Sequence, residues 1–141
     1  MTAGLLANVT GVAVAGVGVM IEGVPGSGKS TLALELIDRG AVLIGDDGLT
    51  LERHGSRLVA QPPPRIAGQL EIRGLGIVTV PATSAPLGLI ITLGDHEVRL
   101  PEPAWRTIEG VRVPVLAFRA GGHALAVRTE WALRLHAQLS D

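Results

Sequence analysis

The chain has 141 residues, which is the size of one domain of about 100 to 150 residues. It is 47% hydrophobic and 18% charged, so a buried core is within reach and a disordered tail is excluded. With 12 basic and 13 acidic residues the formal charge is −1, which offers no global field to nucleic acid or an anionic membrane, and aromatics at 2% leave no platform for stacking bases.

Cysteine is absent, which removes disulfides and thiolate metal sites and leads us to expect a cytoplasmic protein. Met1 to Ile21 carry no charge, but no basic region precedes the stretch and glycines interrupt it. Strands are therefore expected there, at Leu5–Val9, Val12–Ala15 and Val17–Ile21 around a turn at Gly16, rather than a leader or a membrane span. A glycine-rich loop follows, then a helix from Lys29 to Arg39 that stops at Gly40. Leu32, Ala33, Leu36 and Ile37 recur at helical spacing and should pack on a sheet, with Glu35, Asp38 and Arg39 toward water. Ala41–Ile44 reads as a strand buried on both faces. Leu49–Arg53 and Arg57–Ala60 read as a hairpin around His54-Gly55-Ser56, and Pro62-Pro63-Pro64 ends regular structure. A second glycine-bearing segment, Leu70–Ile77, precedes strands at Gly88–Leu93, Glu97–Leu100 and Val113–Phe118. The last element is a helix from His123 to Leu139, with Val127, Trp131 and Leu135 on one face and Glu130 and Arg134 as an i,i+4 pair. The order predicts an α/β, strand-rich sheet with two main helices.

The sharpest chemical signal is Gly23-Val24-Pro25-Gly26-Ser27-Gly28-Lys29-Ser30, which fits G-x-x-x-x-G-K-[ST] after a strand and before a helix. The glycines let successive N–H groups converge on one anion at the positive end of the helix, and Thr31 continues its first turn. Lys29, the sole lysine of the chain, reaches the β- and γ-phosphates of a nucleotide, and the Ser30 hydroxyl takes a place on Mg²⁺. Asp46 and Asp47 follow the strand ending at Ile44, where strands of such sheets open on a ligand crevice. One of these carboxylates suits the metal and the other suits a base for an incoming hydroxyl. His54, His96, His123 and His136 show no metal-ligand spacing and read as surface residues.

Five stretches together resemble the HPr kinase/phosphorylase family: 16–23, the loop through Ser30, 31–40 (TLALELIDRG), 43–47 and 70–77 (LEIRGLGI). The likeness is good over about residues 8–80 and loose beyond. It implies a phosphate-loop sheet like that of phosphoenolpyruvate carboxykinase. It also implies one catalytic domain over residues 1–141, a short form without the N-terminal domain of longer members. The implied activity is ATP- and Mg²⁺-dependent phosphorylation of a serine on the HPr phosphocarrier of the phosphotransferase system, in a homo-oligomer, hexameric in the family. By motif matching Lys29 binds phosphate, Ser30 and Glu71 hold Mg²⁺ with Asp46 beside them, and Asp47 is base in one direction and acid in the reverse. Arg73 and Arg99 are the expected catalytic arginines. Glu71 and Arg73 share a face if their segment is extended.

Three departures qualify the likeness. Asn8 stands where the family has a catalytic His, which removes an imidazolium. Arg119-Ala120-Gly121-Gly122-His123 retains little of the R-P-G-R-N stretch that the family links to dephosphorylation, so weakened or lost phosphorylase activity is expected. Pro25 replaces a small polar residue in the loop and removes an N–H. Two alternatives to the serine kinase are a nucleotide-binding regulatory module without catalysis and a small-molecule kinase on the same scaffold.

Overall fold

The computed structural model describes residues 2–97 and 102–137. Eleven strands and two helices follow one another as β1 (Thr2–Ala7), β2 (Thr10–Val14), β3 (Val17–Gly23), α1 (Lys29–Asp38), β4 (Val42–Gly45), β5 (Gly48–His54), β6 (Arg57–Gln61), β7 (Gln69–Ile72), β8 (Gly76–Thr79), β9 (Ala85–Gly94), β10 (Ala104–Ile108), β11 (Val111–Arg119) and α2 (Leu125–His136) among the described residues. The main sheet runs β1-β5-β6-β9-β3-β2-β4, with β11 also paired to β9 and β10 to β11, while β7 and β8 form a separate hairpin. β3 and β11 both pair with β9 in parallel, and the other pairs in the sheet are antiparallel.

Successive side chains of a strand point to opposite faces. In the central strands both faces are apolar: Val19, Ile21, Leu89 and Ile91 enter one cluster, and Met20, Leu87 and Ile90 the other. The first cluster is covered by α1 and α2 through Leu32, Ala33, Leu36, Leu125, Ala126 and Ala132. The second is closed by Leu49, Leu51, Leu58 and Ala60 of the β5–β6 hairpin. β4 lies at the end of the sheet, yet Leu43 and Ile44 are fully buried, one in each cluster. Its free edge is met by Thr83, whose N–H donates to Leu43 O at 2.8 Å. The apolar face expected for α1 is the one buried, and the helix ends as expected at Gly40. There the Gly40 N–H donates to Ile37 O and the Ala41 N–H to Leu36 O, with Gly40 at φ 110°, the bond pattern of a Schellman cap.

Several expectations are corrected. The first strand ends at Ala7, because Asn8 adopts φ 62° and turns the chain before Thr10. β10 is a strand beyond those expected from sequence; it pairs with β11 through a two-residue turn, Glu109-Gly110, with both φ positive, the hairpin geometry that an x-Gly pair signals. In α2 the large apolar stripe is the exposed one: Val127 is 37%, Trp131 54% and Leu135 71% exposed. The buried face consists of Leu125, Ala126, Thr129 and Ala132, since small side chains let α2 approach the sheet and α1. Thr129 is tolerated at that depth because its hydroxyl donates to Leu125 O at 2.8 Å. Glu130 pairs with Arg39 of the α1 end at 2.9 Å instead of with Arg134, and Arg134 stacks on Trp131. Of the expected strand at Glu97–Leu100 only Glu97 is described; Arg128 donates to its carboxyl at 2.8 Å and holds it below the usual carboxylate range.

Candidate functional site

The loop between β3 and α1 closes on itself. The Ser27 N–H donates to Val24 O at 3.0 Å, with Pro25 in the second position of this turn and Gly26, at φ 82°, in the third, the residue pattern of a type II turn. Such a turn needs no N–H from its second residue, so Pro25 fits without losing a bond. Gly28 caps α1 at φ 101°; the first turn has no side-chain cap and no acidic residue. Its N–H groups and the positive end of the helix dipole are thus open to an anion. A Cβ on Gly23 would collide with Ser27 Oγ and press to 3.0 Å from Leu93 O and Ser27 Cβ, so glycine suits this closure. The Lys29 ammonium donates to Gly23 O at 2.7 Å and Val24 O at 3.2 Å, which keeps the charge along the loop.

Asp46 and Asp47 are placed differently although adjacent. Asp46 is 7% exposed; its Oδ1 accepts from the Thr10 hydroxyl at 2.9 Å and the Ser30 hydroxyl at 2.7 Å, and its Oδ2 accepts the Glu71 N–H at 3.0 Å. Asp47 is exposed, with φ 63°, and its carbonyl accepts the Asn8 N–H at 3.2 Å. Two left-handed residues, Asn8 and Asp47, are therefore tied back to back, in a conformation that Asn and Asp tolerate better than most residues. Glu71 faces Ile77 across the β7–β8 ladder, while the alternate pair Leu70 and Val78 packs into the core. The strand ends at Ile72, so Arg73 sits in the turn rather than on the extended face of Glu71. At the end of β3, Arg106 of β10 donates to Glu22 at 2.6 Å, and this bond raises the guanidinium pKa further.

A cleft of ≈ 190 Å³ brings these segments together: Thr10, then Pro25, Gly26, Gly28, Lys29, Ser30 and Thr31, then Asp47, Glu71 and Arg73. A smaller hollow of ≈ 110 Å³ adjoins it, where Ser30, Asp46, Asp47 and Glu71 meet Ile66, Gln69 and Ile77. On the other side of the loop a hollow of ≈ 450 Å³ runs from Ser27 and Arg73 to Ala120, Gly121 and Gly122. Of the residues named from sequence, the loop, both aspartates, Glu71 and Arg73 converge. Asn8 is exposed, reaches Asp47 by its backbone and does not line the cleft. Arg99 lies outside the described residues. Sequence reading missed Thr10; the available signal was a single hydroxyl within the apolar run Val9-Thr10-Gly11-Val12.

The donor set suits a hard cation. Among the described residues no three His, Cys, Asp or Glu side chains cluster as a ready metal cage. Ser30, Asp47 and Glu71 line the cleft beside the glycine-rich loop, with Asp46 behind Ser30. Mg²⁺ is commonly held this way, by one or two protein oxygens with the remainder from phosphates and water. No helix among the described residues is long and apolar enough to cross a membrane.

Comparison with known proteins bears on the same segments. The family model for the HPr Serine kinase C-terminal domain matches residues 5–85. An HPr kinase/phosphorylase of Mycoplasma genitalium is 44% identical over 85 residues, 60% of this chain and 26% of that protein. One of Clostridium acetobutylicum is 42% identical over 85 residues, 60% of this chain and 27% of that protein. The chain thus matches about a quarter of the length of these relatives. The solved structure of the HPr(Ser) kinase/phosphatase from Coxiella burnetii superposes with a TM-score of 0.79 at 29% identity, over 93% of this chain and 94% of that one. The strand-rich α/β architecture with two helices is therefore the one found in that structure. With its glycine-rich loop, aspartate pair and glutamate-bearing hairpin all inside the matched span, the chain belongs to the HPr serine kinase C-terminal domain family.

Proposed function

We propose that this chain transfers a phosphoryl group from ATP, with Mg²⁺, to a serine hydroxyl of an HPr-type phosphocarrier protein. The observation that carries the reading is the convergence of Lys29, Ser30, Asp47, Glu71 and Arg73 from separate segments on one cleft. The open N-terminus of α1 and the Lys29 ammonium hold the nucleotide phosphates. Ser30 and Glu71, backed by Asp46, supply hard oxygens to the cation, which when bound offsets the charge of the phosphates. Asp47, exposed at the cleft, accepts the proton of the attacking serine hydroxyl, and Arg73 stabilises the oxygens of the group in flight. A regulatory module that only binds nucleotide has no need of a carboxylate poised like Asp47, so the enzyme is the better reading.

The reverse reaction is proposed to be weak, because the segment 119–123 carries a single Arg and lines the hollow behind the loop only with Ala120, Gly121 and Gly122. The test is incubation of the pure chain with ATP, Mg²⁺ and HPr, followed by intact mass. One added phosphate on HPr, lost when Asp47 is replaced by Asn, supports the proposal. ATP binding without any transfer to HPr overturns it in favour of the regulatory module.

A further inference from the structure

We propose that Thr10 is a positioning residue for the cation side of this site, acting through Asp46; the inference rests on the phosphoryl-transfer reading above. Thr10 opens β2 and is 1% exposed. A hydroxyl at that depth is costly unless it is bonded, and its proton goes to Asp46 Oδ1 at 2.9 Å. That oxygen also takes the Ser30 proton, and the other Asp46 oxygen takes the Glu71 N–H. One buried carboxylate thereby joins the start of β2, the first turn of α1 and β7.

The consequence is directional. A hydroxyl has one proton and two lone pairs. With its proton committed to Asp46, Ser30 turns its lone pairs outward, the orientation a hard cation requires of a neutral oxygen. Thr10 and Ser30 converge on the same oxygen from different elements and so fix the rotation of the carboxylate; the Glu71 N–H on the second oxygen sets the hairpin that carries the Glu71 side chain. Removal of the Thr10 donor leaves Asp46 held only by Ser30 and the Glu71 N–H, which loosens the reference point that those two groups share. Asn8 reaches the site by a backbone bond alone, whereas Thr10, two residues on, brings a side chain to the cleft.

The experiment is calorimetry of ATP binding over a Mg²⁺ titration, with the unsubstituted chain, Thr10→Val and Thr10→Ser. Valine keeps the shape and removes the donor. We expect Thr10→Val to raise the Mg²⁺ needed for half-maximal enhancement of ATP binding by about tenfold, with Mg²⁺-free ATP affinity changed by less than about twofold, and Thr10→Ser to restore the requirement. An unchanged Mg²⁺ requirement in a folded Thr10→Val overturns the inference. So does an equal loss of Mg²⁺-free binding, which marks collapse of the loop. If Thr10→Val fails to fold, Thr10→Cys, close in volume and a much weaker donor, carries the same two expectations. An unsubstituted chain whose ATP binding ignores Mg²⁺ overturns the phosphoryl-transfer reading as well; a Mg²⁺-dependent chain indifferent to the valine overturns this inference alone.

Discussion

Lys29 is the single lysine among 12 basic residues, and its ammonium lies along the carbonyls of the loop it belongs to. No other ammonium can take its place at the phosphates, so Lys29→Ala is expected to weaken ATP binding by more than about tenfold in calorimetry. The two aspartates separate by environment. Asp47 faces the cleft, and Asp47→Asn keeps its shape but cannot accept a proton, so ATP should still bind while transfer falls by about 10² or more. Asp46→Asn should instead disturb the Mg²⁺ requirement first, because its buried oxygens accept three hydrogen bonds. Single-turnover transfer and ATP affinity, measured on both variants, separate the roles; a reversed pattern would exchange them. At this scale the sequence picked out residues that converge on the cleft but not which carboxylate faces out. Adjacent residues in a turn take their direction from φ, and the left-handed setting of Asp47 has no signature in the letters Asp-Asp-Gly.

The β7–β8 hairpin owes its place to Leu70 and Val78, which pack into the core and leave Glu71 and Ile77 on the cleft side. Glu71→Gln retains that packing and removes the charge, so the fold should hold while the Mg²⁺ requirement for ATP binding rises. An equal requirement in a titration of both proteins would assign Glu71 to the hairpin alone. The helices teach a different lesson. The apolar face of α1 was legible because its large residues have the sheet beneath them, whereas α2 exposes Val127, Trp131 and Leu135 and buries alanines. Leu135→Ala should therefore change stability by no more than about 0.5 kcal/mol, and Leu36→Ala, fully buried in α1, should cost about 2–5 kcal/mol. Urea unfolding of the two variants checks the contrast.

Across the whole molecule β9 is the spine. It lies between β3 and β6 in the sheet and also pairs with β11, and its residues feed both apolar clusters, Leu89 and Ile91 one and Ile90 the other, with Leu87 joining Ile90 across the register shift that skips Gly88. A cavity made in one cluster is thus felt along the strand that supports the other. Ile90→Ala is expected to cost about 2–5 kcal/mol and to leave a single unfolding transition when fluorescence of Trp105 and Trp131 is compared with circular dichroism. Two separate transitions would mean that the faces unfold independently.

Local information was enough to establish the strand, glycine-rich loop and helix of the candidate phosphate site, the helix stop at Gly40, the β5–β6 hairpin and the likeness carried by 70–77, because each depends on short-range sterics or on residue types at fixed spacing. Only the tertiary structure decided that Thr10 enters the site, that Asn8 meets Asp47 through its backbone, that Arg73 lies in a turn and that α2 buries its small residues. Those facts depend on what lies opposite a residue in space: Thr10 and Asp46 are 36 positions apart, Arg39 and Glu130 are 91, and no periodicity along the chain encodes such a partner.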